Sequence, residues 1–276
     1  MAIEKQIINL AVCQMKVEKN KRANLSRAEE LIRQAKKTHC PDIIVLPEMF
    51  NCPFNHNYFG RYAESFPGET TEFLSALANE LKTYIVGGSI PEAENGKLFN
   101  TSYTFDRNGE IAAKHRKIHL FDVNIKNGIS FKESKYISPG DRITVFDTDF
   151  CRIGVAICYD MRYPELIRKM TLDGARLIII PAAFNMTTGP AHWHITARTR
   201  ALDNQIYFVC ASPARDISSD YTVYGHSIIT DPWGQIISEA AGDETIIYGK
   251  IELKEINRIR NELPLIKHRR PGIYKD

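Results

Sequence analysis

Three side chains in this 276-residue sequence stand where they could do chemistry. Cys158 closes the apolar run Ile153-Gly-Val-Ala-Ile-Cys158 and is followed by Tyr159-Asp160-Met161-Arg162-Tyr163-Pro164. Proline suits the first turn of a helix. Cys158 therefore falls at a strand-to-helix turn, on the C-terminal edge of a sheet, where ligand sites of open α/β sheets gather. Free N–H groups at such a turn favour an anion, so the thiol is a candidate nucleophile. The plainer reading is a small buried hydrophobe under the next helix. Glu48 directly follows the apolar run Ile43-Ile-Val-Leu-Pro47. A carboxylate there is costly unless paired or protonated. It is a candidate acid/base, or else a surface glutamate or a helix-capping partner. Lys117 lies in Lys114-His-Arg-Lys117-Ile-His-Leu-Phe121. An ammonium facing a thiol lowers the thiol pKa and stabilises an oxyanion. The alternative is a solvated basic turn.

Other chemistries find less support. Cys13, Cys40, Cys52, Cys151 and Cys210 lack the turn setting of Cys158, and no Cys-x-x-Cys pair occurs. His115 and His119 are spaced i, i+4, but no glutamate follows His115, so the zinc-protease pattern fails. His192 and His194, spaced i, i+2, would point to different sides of a helix. No metal site is expected. A pairing of Cys158 with a distant histidine stays open. The Gly-x-Ser-x-Gly elbow, the phosphate loop and the dinucleotide fingerprint are all missing.

These side chains need a scaffold, and the composition allows one. With 43% apolar and 25% charged residues, the chain can bury a core and is not intrinsically disordered. Thirty-six Lys+Arg against 33 Asp+Glu leave only +3, a weak basis for nucleic-acid binding. No apolar run approaches the ~20 residues of a membrane-spanning helix. The opening Met-Ala-Ile-Glu-Lys-Gln, with Asn9 and Gln14 interrupting the apolar stretch after it, does not read as a signal peptide. A cytoplasmic protein with reduced thiols is expected.

Short apolar runs predict strands over 7–14, 43–47, 84–90, 99–106, 143–147, 153–158, 177–182, 207–212, 226–231 and 246–251. Amphipathic spacing predicts helices around Leu25–Ala35, Phe73–Leu81 and Leu166–Met170, with further helices over 192–203 and 254–263. The stretch 119–142 has no clear period and predicts a functional lid or a disordered segment. Strands 43–46 and 177–180 are apolar on both faces, as expected when helices cover one side and a second sheet the other. No linker, charge step or repeat divides the chain, so residues 1–276 read as one α/β domain.

Taken together and in order, Leu46-Pro47-Glu48, Lys114-His-Arg-Lys117-Ile-His-Leu-Phe121 and Gly154-Val-Ala-Ile-Cys158-Tyr-Asp-Met-Arg-Tyr-Pro-Glu165 resemble the nitrilase (carbon–nitrogen hydrolase) superfamily. Phe66-Pro67-Gly68, Asn100-Thr101-Ser102, Arg200-Ala-Leu-Asp-Asn204 and Gly225-His226-Ser227 are similar too. The likeness covers essentially the whole chain. Within the superfamily the chain most resembles the omega-amidases, in Leu120-Phe-Asp-Val-Asn-Ile125, Gly189-Pro-Ala-His-Trp193, Ala211-Ser-Pro-Ala-Arg-Asp216 and Asp231-Pro-Trp-Gly234.

The resemblance implies a four-layer α-β-β-α sandwich, a homodimer or higher even oligomer, and no metal or organic cofactor. It implies a thiol amidohydrolase that cleaves the terminal amide of short dicarboxylic acid monoamides, such as 2-oxoglutaramate and succinamate, through a Cys158 thioester. Cys158 would be the nucleophile, Glu48 the general base, Lys117 and the Tyr159 N–H the oxyanion donors, and Glu133 a supporting carboxylate. Arg162, His192 and Arg215 are candidates for the substrate's distal carboxylate. The same machinery fits other substrates: an N-carbamoyl amine, an aliphatic nitrile or deaminated glutathione. A non-catalytic protein using its basic clusters on nucleic acid is the alternative from another class.

Overall fold

A computed structural model describes residues 7–274; the stretch Met1–Gln6, on which the signal-peptide reading partly rests, lies outside them. In chain order the elements are β1 (Ile7–Gln14), α1 (Lys21–His39), β2 (Ile43–Val45), α2 (His56–Tyr62), α3 (Glu69–Leu81), β3 (Tyr84–Val86), β4 (Ile90–Glu94), β5 (Lys97–Phe105), β6 (Ile111–Arg116), β7 (Asp122–Asn124), β8 (Ser130–Lys132), β9 (Thr144–Asp147), β10 (Arg152–Val155), α4 (Pro164–Leu172), β11 (Leu177–Pro181), α5 (Gly189–Asn204), β12 (Tyr207–Ala211), β13 (Ile228–Thr230), β14 (Ile236–Glu239), β15 (Thr245–Glu252) and α6 (Leu253–Glu262).

Two sheets carry the fold. One has the order β15-β1-β2-β3-β5-β4, with β6 added on β5; the other runs β14-β13-β12-β11-β10-β9. Each has a parallel centre, β1-β2-β3 in the first and β10-β11-β12 in the second. Side chains alternate between faces along a strand, and this sorts the core. Leu10, Val12, Ile43 and Val45 meet Ile153, Val155, Ile179 and Val209 between the sheets. Their neighbours Ala11, Cys13 and Ile44 face outward onto Leu25, Leu31, Leu74 and Leu77 of α1 and α3. On the second sheet Ile178, Ile180 and Phe208 face Leu166, Ile167, Trp193 and Ala197 of α4 and α5. The layers are therefore helix, sheet, sheet, helix, as the resemblance implies.

Several predicted boundaries move for local reasons. The run 84–90 is two strands, because the chain bends at Gly88. There φ is +54°, and a Cβ would stand 2.0 Å from the Pro47 carbonyl oxygen, so only glycine fits. The strand ending at Cys158 stops at Val155, and Cys158–Arg162 forms a 3-10 turn. The stretch 119–142 is ordered: it holds the hairpin β7–β8 and a 3-10 turn over Glu133–Lys135. Strand β6, in the basic segment, and the short helix α2 lack the periodicity that would reveal them. Helix α5 begins at Gly189 rather than His192, with Pro190 in its first turn, a place proline tolerates. None of the helices among the described residues is long and apolar enough to cross a membrane.

Candidate active site

The C-terminal ends of the central strands bring the chemistry together. Glu48 lies just beyond β2, and Cys158 just beyond β10 in the facing sheet. Cys158 has φ +48° and Met49, beside Glu48, has φ +52°. A non-glycine residue in this left-handed region costs roughly 1–2 kcal/mol, and such strain concentrates at functional sites. Lys117 follows β6, where alternation resolves the basic run. Lys114 and Arg116 turn to one side and pair with Glu92 and Glu94. His115 and Lys117 turn inward and are buried. The solvated-turn reading of Lys117 is thereby corrected.

The buried ammonium of Lys117 stands 3.0 Å from Glu48 Oε1 and 3.0 Å from Glu133 Oε2. All three side chains are 0% exposed. Glu48 Oε1 also accepts from Asn100 Nδ2 at 2.9 Å, and Oε2 from the Ala183 N–H at 2.8 Å. Glu133 Oε2 accepts from the Phe121 N–H at 2.7 Å. Cys158 is buried, and Glu48 and Lys117 are the charged side chains that act on its thiol. Burial first, and then the Glu48 charge, push its thiol well above the ordinary cysteine range, against the opposing pull of Lys117. Burial alone would depress the Lys117 ammonium, but Glu133, Glu48 and Cys158 outweigh it and hold it well above the usual lysine range. Burial raises the Glu133 carboxyl, Lys117 counters, and the net direction is up. The resting constellation is thus a protonated thiol beside a carboxylate and a permanently charged ammonium. No histidine is among the groups that act most on the thiol, so the Cys–His alternative has no support here.

Two cavities meet at this cluster. One, of about 370 Å³, reaches Glu48, Met49 and Cys52 and is bordered by Lys19, Pro213 and Asp220. The other is a narrow cleft over Cys158, lined by Tyr159, Arg162, Asn185 and Thr188, with about 10 Å³ of free space, room for no more than a water. Phe54 and Tyr221 line both. The Phe54 ring lies 5.7 Å from Lys117 Nζ, while the Tyr221 hydroxyl donates to the Ala183 carbonyl at 3.0 Å.

Residues 9–261 match the carbon-nitrogen hydrolase family model. The chain belongs to the carbon–nitrogen hydrolase family. It is 48% identical over 265 residues to omega-amidase NIT2 of Mus musculus, covering 96% of each chain, and 46% identical to omega-amidase NIT2 of Homo sapiens with the same coverage. The crystal structure of Saccharomyces cerevisiae Nit3, a member of branch 10 of the nitrilase superfamily, superposes with a TM-score of 0.89 at 43% identity, over 98% of this chain and 99% of that one. The helix–sheet–sheet–helix layering is therefore that of a carbon–nitrogen hydrolase.

The remaining candidates separate. The Tyr159 N–H takes no protein partner among the described residues, as expected in the first turn of a helix. Arg162 borders the cleft, its guanidinium carbon 4.5 Å from the Phe184 ring centroid, and its Nε is buried without a partner. His192 Nδ1 lies 3.1 Å from Arg162 Nη1, so it reaches the cleft only through that arginine. Arg215 is not brought to the site. It lines neither cavity, and its Nη2 donates to the Tyr224 carbonyl at 2.6 Å, which makes it a loop brace. Sequence reasoning passed over Asp160, Asn100 and Tyr221. Asp160 is buried and accepts from the Ile157 N–H at 3.0 Å, His115 Nε2 at 3.2 Å, and the His119 N–H and Nδ1 at 2.8 Å each. It ties the Cys158 turn to the segment that carries Lys117. The signal was present: an aspartate two residues after the thiol, and two histidines flanking the lysine.

Proposed function

We propose that the chain, read as one carbon–nitrogen hydrolase domain, is a thiol amidohydrolase of the omega-amidase type. It would cleave the terminal amide of short dicarboxylic acid monoamides, such as succinamate and 2-oxoglutaramate, to acid and ammonia. The observation that carries this reading is the burial of the Cys158 thiol under the influence of the Glu48 carboxylate, with the Lys117 ammonium 3.0 Å from that same carboxylate. A thiol held protonated needs a base at the moment of attack, and Glu48 is the carboxylate that acts on it. It takes the proton as sulfur attacks the amide carbon. Charge develops on the carbonyl oxygen, where Lys117 and the Tyr159 N–H stabilise it; one such donor contributes about 3–4 kcal/mol. Glu48 returns the proton to nitrogen, ammonia leaves, and a thioester remains. Glu48 then deprotonates a water, which releases the acid and restores the thiol. Glu133 keeps Lys117 charged and oriented while Glu48 cycles.

The distal carboxylate is assigned to Arg162, supported by its unpaired buried Nε and by the Thr188 hydroxyl on the same cleft wall. The cleft must widen to admit a substrate, and Phe54 and Tyr221 are the side chains shared with the larger cavity. The apolar side chains Leu172, Ile195 and Leu202, exposed on α4 and α5, support a two-fold pair through those helices. The thiols of Cys13, Cys40, Cys52, Cys158 and Cys210 fit a reducing, cytoplasmic setting. The test is mass spectrometry of the protein quenched during turnover of succinamate. A succinyl thioester on the peptide containing Cys158 is expected. Turnover without any adduct, persisting in Cys158→Ala, would end the thiol reading.

A further inference from the structure

Away from both cavities, three side chains from three elements converge. His194 lies on α5, His226 precedes β13, and Glu239 ends β14. His194 Nε2 and His226 Nδ1 stand 2.7 and 2.8 Å from the same oxygen, Glu239 Oε1. The potential ligand atoms all lie within 4.8 Å of one another. None of the three residues lines the spaces at Glu48 or Cys158, and the mechanism above does not use them.

The cluster is held by its surroundings. Gly225 and His226 take φ +77° and +60° in succession, a left-handed stretch uncommon for a side-chain-bearing residue. The His226 carbonyl accepts from the buried Trp193 indole at 2.6 Å, which locks this loop onto α5. The Tyr224 ring stacks on His226 at 4.2 Å and meets His194 edge-on at 6.0 Å. Both imidazoles are thus oriented before anything binds, which limits the ordering cost. Their opposite nitrogens take no protein partner among the described residues. Each ring is free to adopt the tautomer that presents a lone pair toward the carboxylate.

Ligand atoms placed about 2.0–2.2 Å from a tetrahedral zinc-class ion stand roughly 3.3–3.6 Å from one another, so the two nitrogen–oxygen spacings of 2.7 and 2.8 Å must widen by somewhat over half an ångström while no ligand atoms lie more than 4.8 Å apart. Two imidazoles and a carboxylate suit zinc, cobalt or nickel rather than magnesium or calcium. A dication would replace the two protons that otherwise bridge nitrogen and oxygen.

We propose that His194, His226 and Glu239 form a three-ligand site for a divalent transition-metal ion of the zinc class, on the flank of α5, with a remaining position open to water. The site is independent of amide hydrolysis. The test uses the full-length protein, dialysed against chelator and titrated with Co²⁺ under visible absorption, with Zn²⁺ as competitor. One equivalent of Co²⁺ per chain, displaced by Zn²⁺, is expected. His194→Ala and Glu239→Ala should each weaken it by at least about 100-fold, since even losing an outer-sphere partner costs roughly 10–100-fold. Both variants should unfold near the wild-type temperature and keep amide turnover; His194→Gln serves if the alanine variant is unstable. Undiminished uptake in the variants, no uptake in the parent, or uptake removed by alkylating Cys40 and Cys151 would each overturn the proposal.

Discussion

Lys117 Nζ and Glu48 Oε1 meet at 3.0 Å across 69 residues of chain, with neither side chain exposed to solvent. The pair, with Glu133, forms a buried cluster of three ionisable side chains. Removing one partner from a buried ion pair costs about 3–5 kcal/mol, because the other charge is left uncompensated. Lys117→Met should therefore destabilise the protein by that order and abolish amide hydrolysis. Thermal unfolding with far-UV circular dichroism measures the first effect, and ammonia release the second. An unfolding temperature equal to wild type would contradict the burial and pairing of this lysine.

Glu48→Gln separates the base from the scaffold. Lys117 keeps Glu133 as a partner at 3.0 Å, so the fold should survive. General base catalysis is worth roughly 10²–10⁴-fold, and kcat should fall by at least that range. Because burial and Glu48 hold the Cys158 thiol well above its usual range, no thiolate forms near neutral pH without a base. Raising pH in the Glu48→Gln variant should restore activity steadily. A pH profile identical to wild type would transfer the base role elsewhere.

Asp160 is a positioning residue, and its variants read differently from those of Glu48. Burial opposes its charge, but hydrogen bonds from His115 and His119 outweigh this and hold the carboxyl well below the usual range. Asp160→Ala removes every bond from the Cys158 turn to the Lys117 segment and should lower both stability and kcat. Asp160→Asn keeps one acceptor oxygen and should recover part of the stability. A kcat loss with unchanged pH profile marks positioning; a shifted profile would give Asp160 a direct part in proton transfer.

Glu92 provides a pH test of the fold itself. Burial raises its carboxyl, but Arg116, Lys114 and Thr101 overcome that and bring it down to about 2. A depressed carboxyl stabilises above its unfolded pKa and loses that stabilisation as pH falls through the folded one. Denaturation midpoints should therefore decline between about pH 4.5 and pH 2, and Glu92→Gln should flatten that decline. Equal acid sensitivity in the variant would assign it to other carboxylates.

The sequence made some of this legible and hid the rest. Strands buried on both faces, such as Ile43–Val45 and Leu177–Pro181, announce themselves as continuous apolar runs. The helices α1, α3 and α4 show their one apolar stripe. Strand β6 stayed hidden because its inward-facing His115, and Lys117 directly after it, are polar, and their burial depends on Asp160 and on Glu48 and Glu133 from distant segments. Hydropathy cannot see a compensated charge. Cys158 and Glu48 were visible from their place at strand ends. Lys117, by contrast, looked like surface until its partners were in position. Arg215 misled for the converse reason: its guanidinium is engaged by the Tyr224 carbonyl and ring, a local brace that sequence spacing does not reveal.

Arg162 decides whether the substrate's far end is read by charge. Its Nε is buried and unpaired, and its neighbour His192 contributes an imidazole nitrogen rather than a carboxylate. A buried polar atom without a partner is costly, and a substrate carboxylate would supply the missing acceptor through a charge-assisted bond. Arg162→Met should raise KM for succinamate by roughly 10–100-fold, given about 1.5–3 kcal/mol for a hydrogen bond to a charged group. Turnover of an uncharged amide of similar length should change little. Lys19 borders the larger cavity instead and already faces Asp220 at 3.6 Å with most of its side chain in water. Lys19→Met should therefore change the succinamate KM by no more than about fivefold, because exposed ion pairs contribute at most about 1 kcal/mol. Steady-state kinetics on both amides with both variants resolves the matter: a larger KM effect from Lys19→Met would move the carboxylate site into the outer cavity.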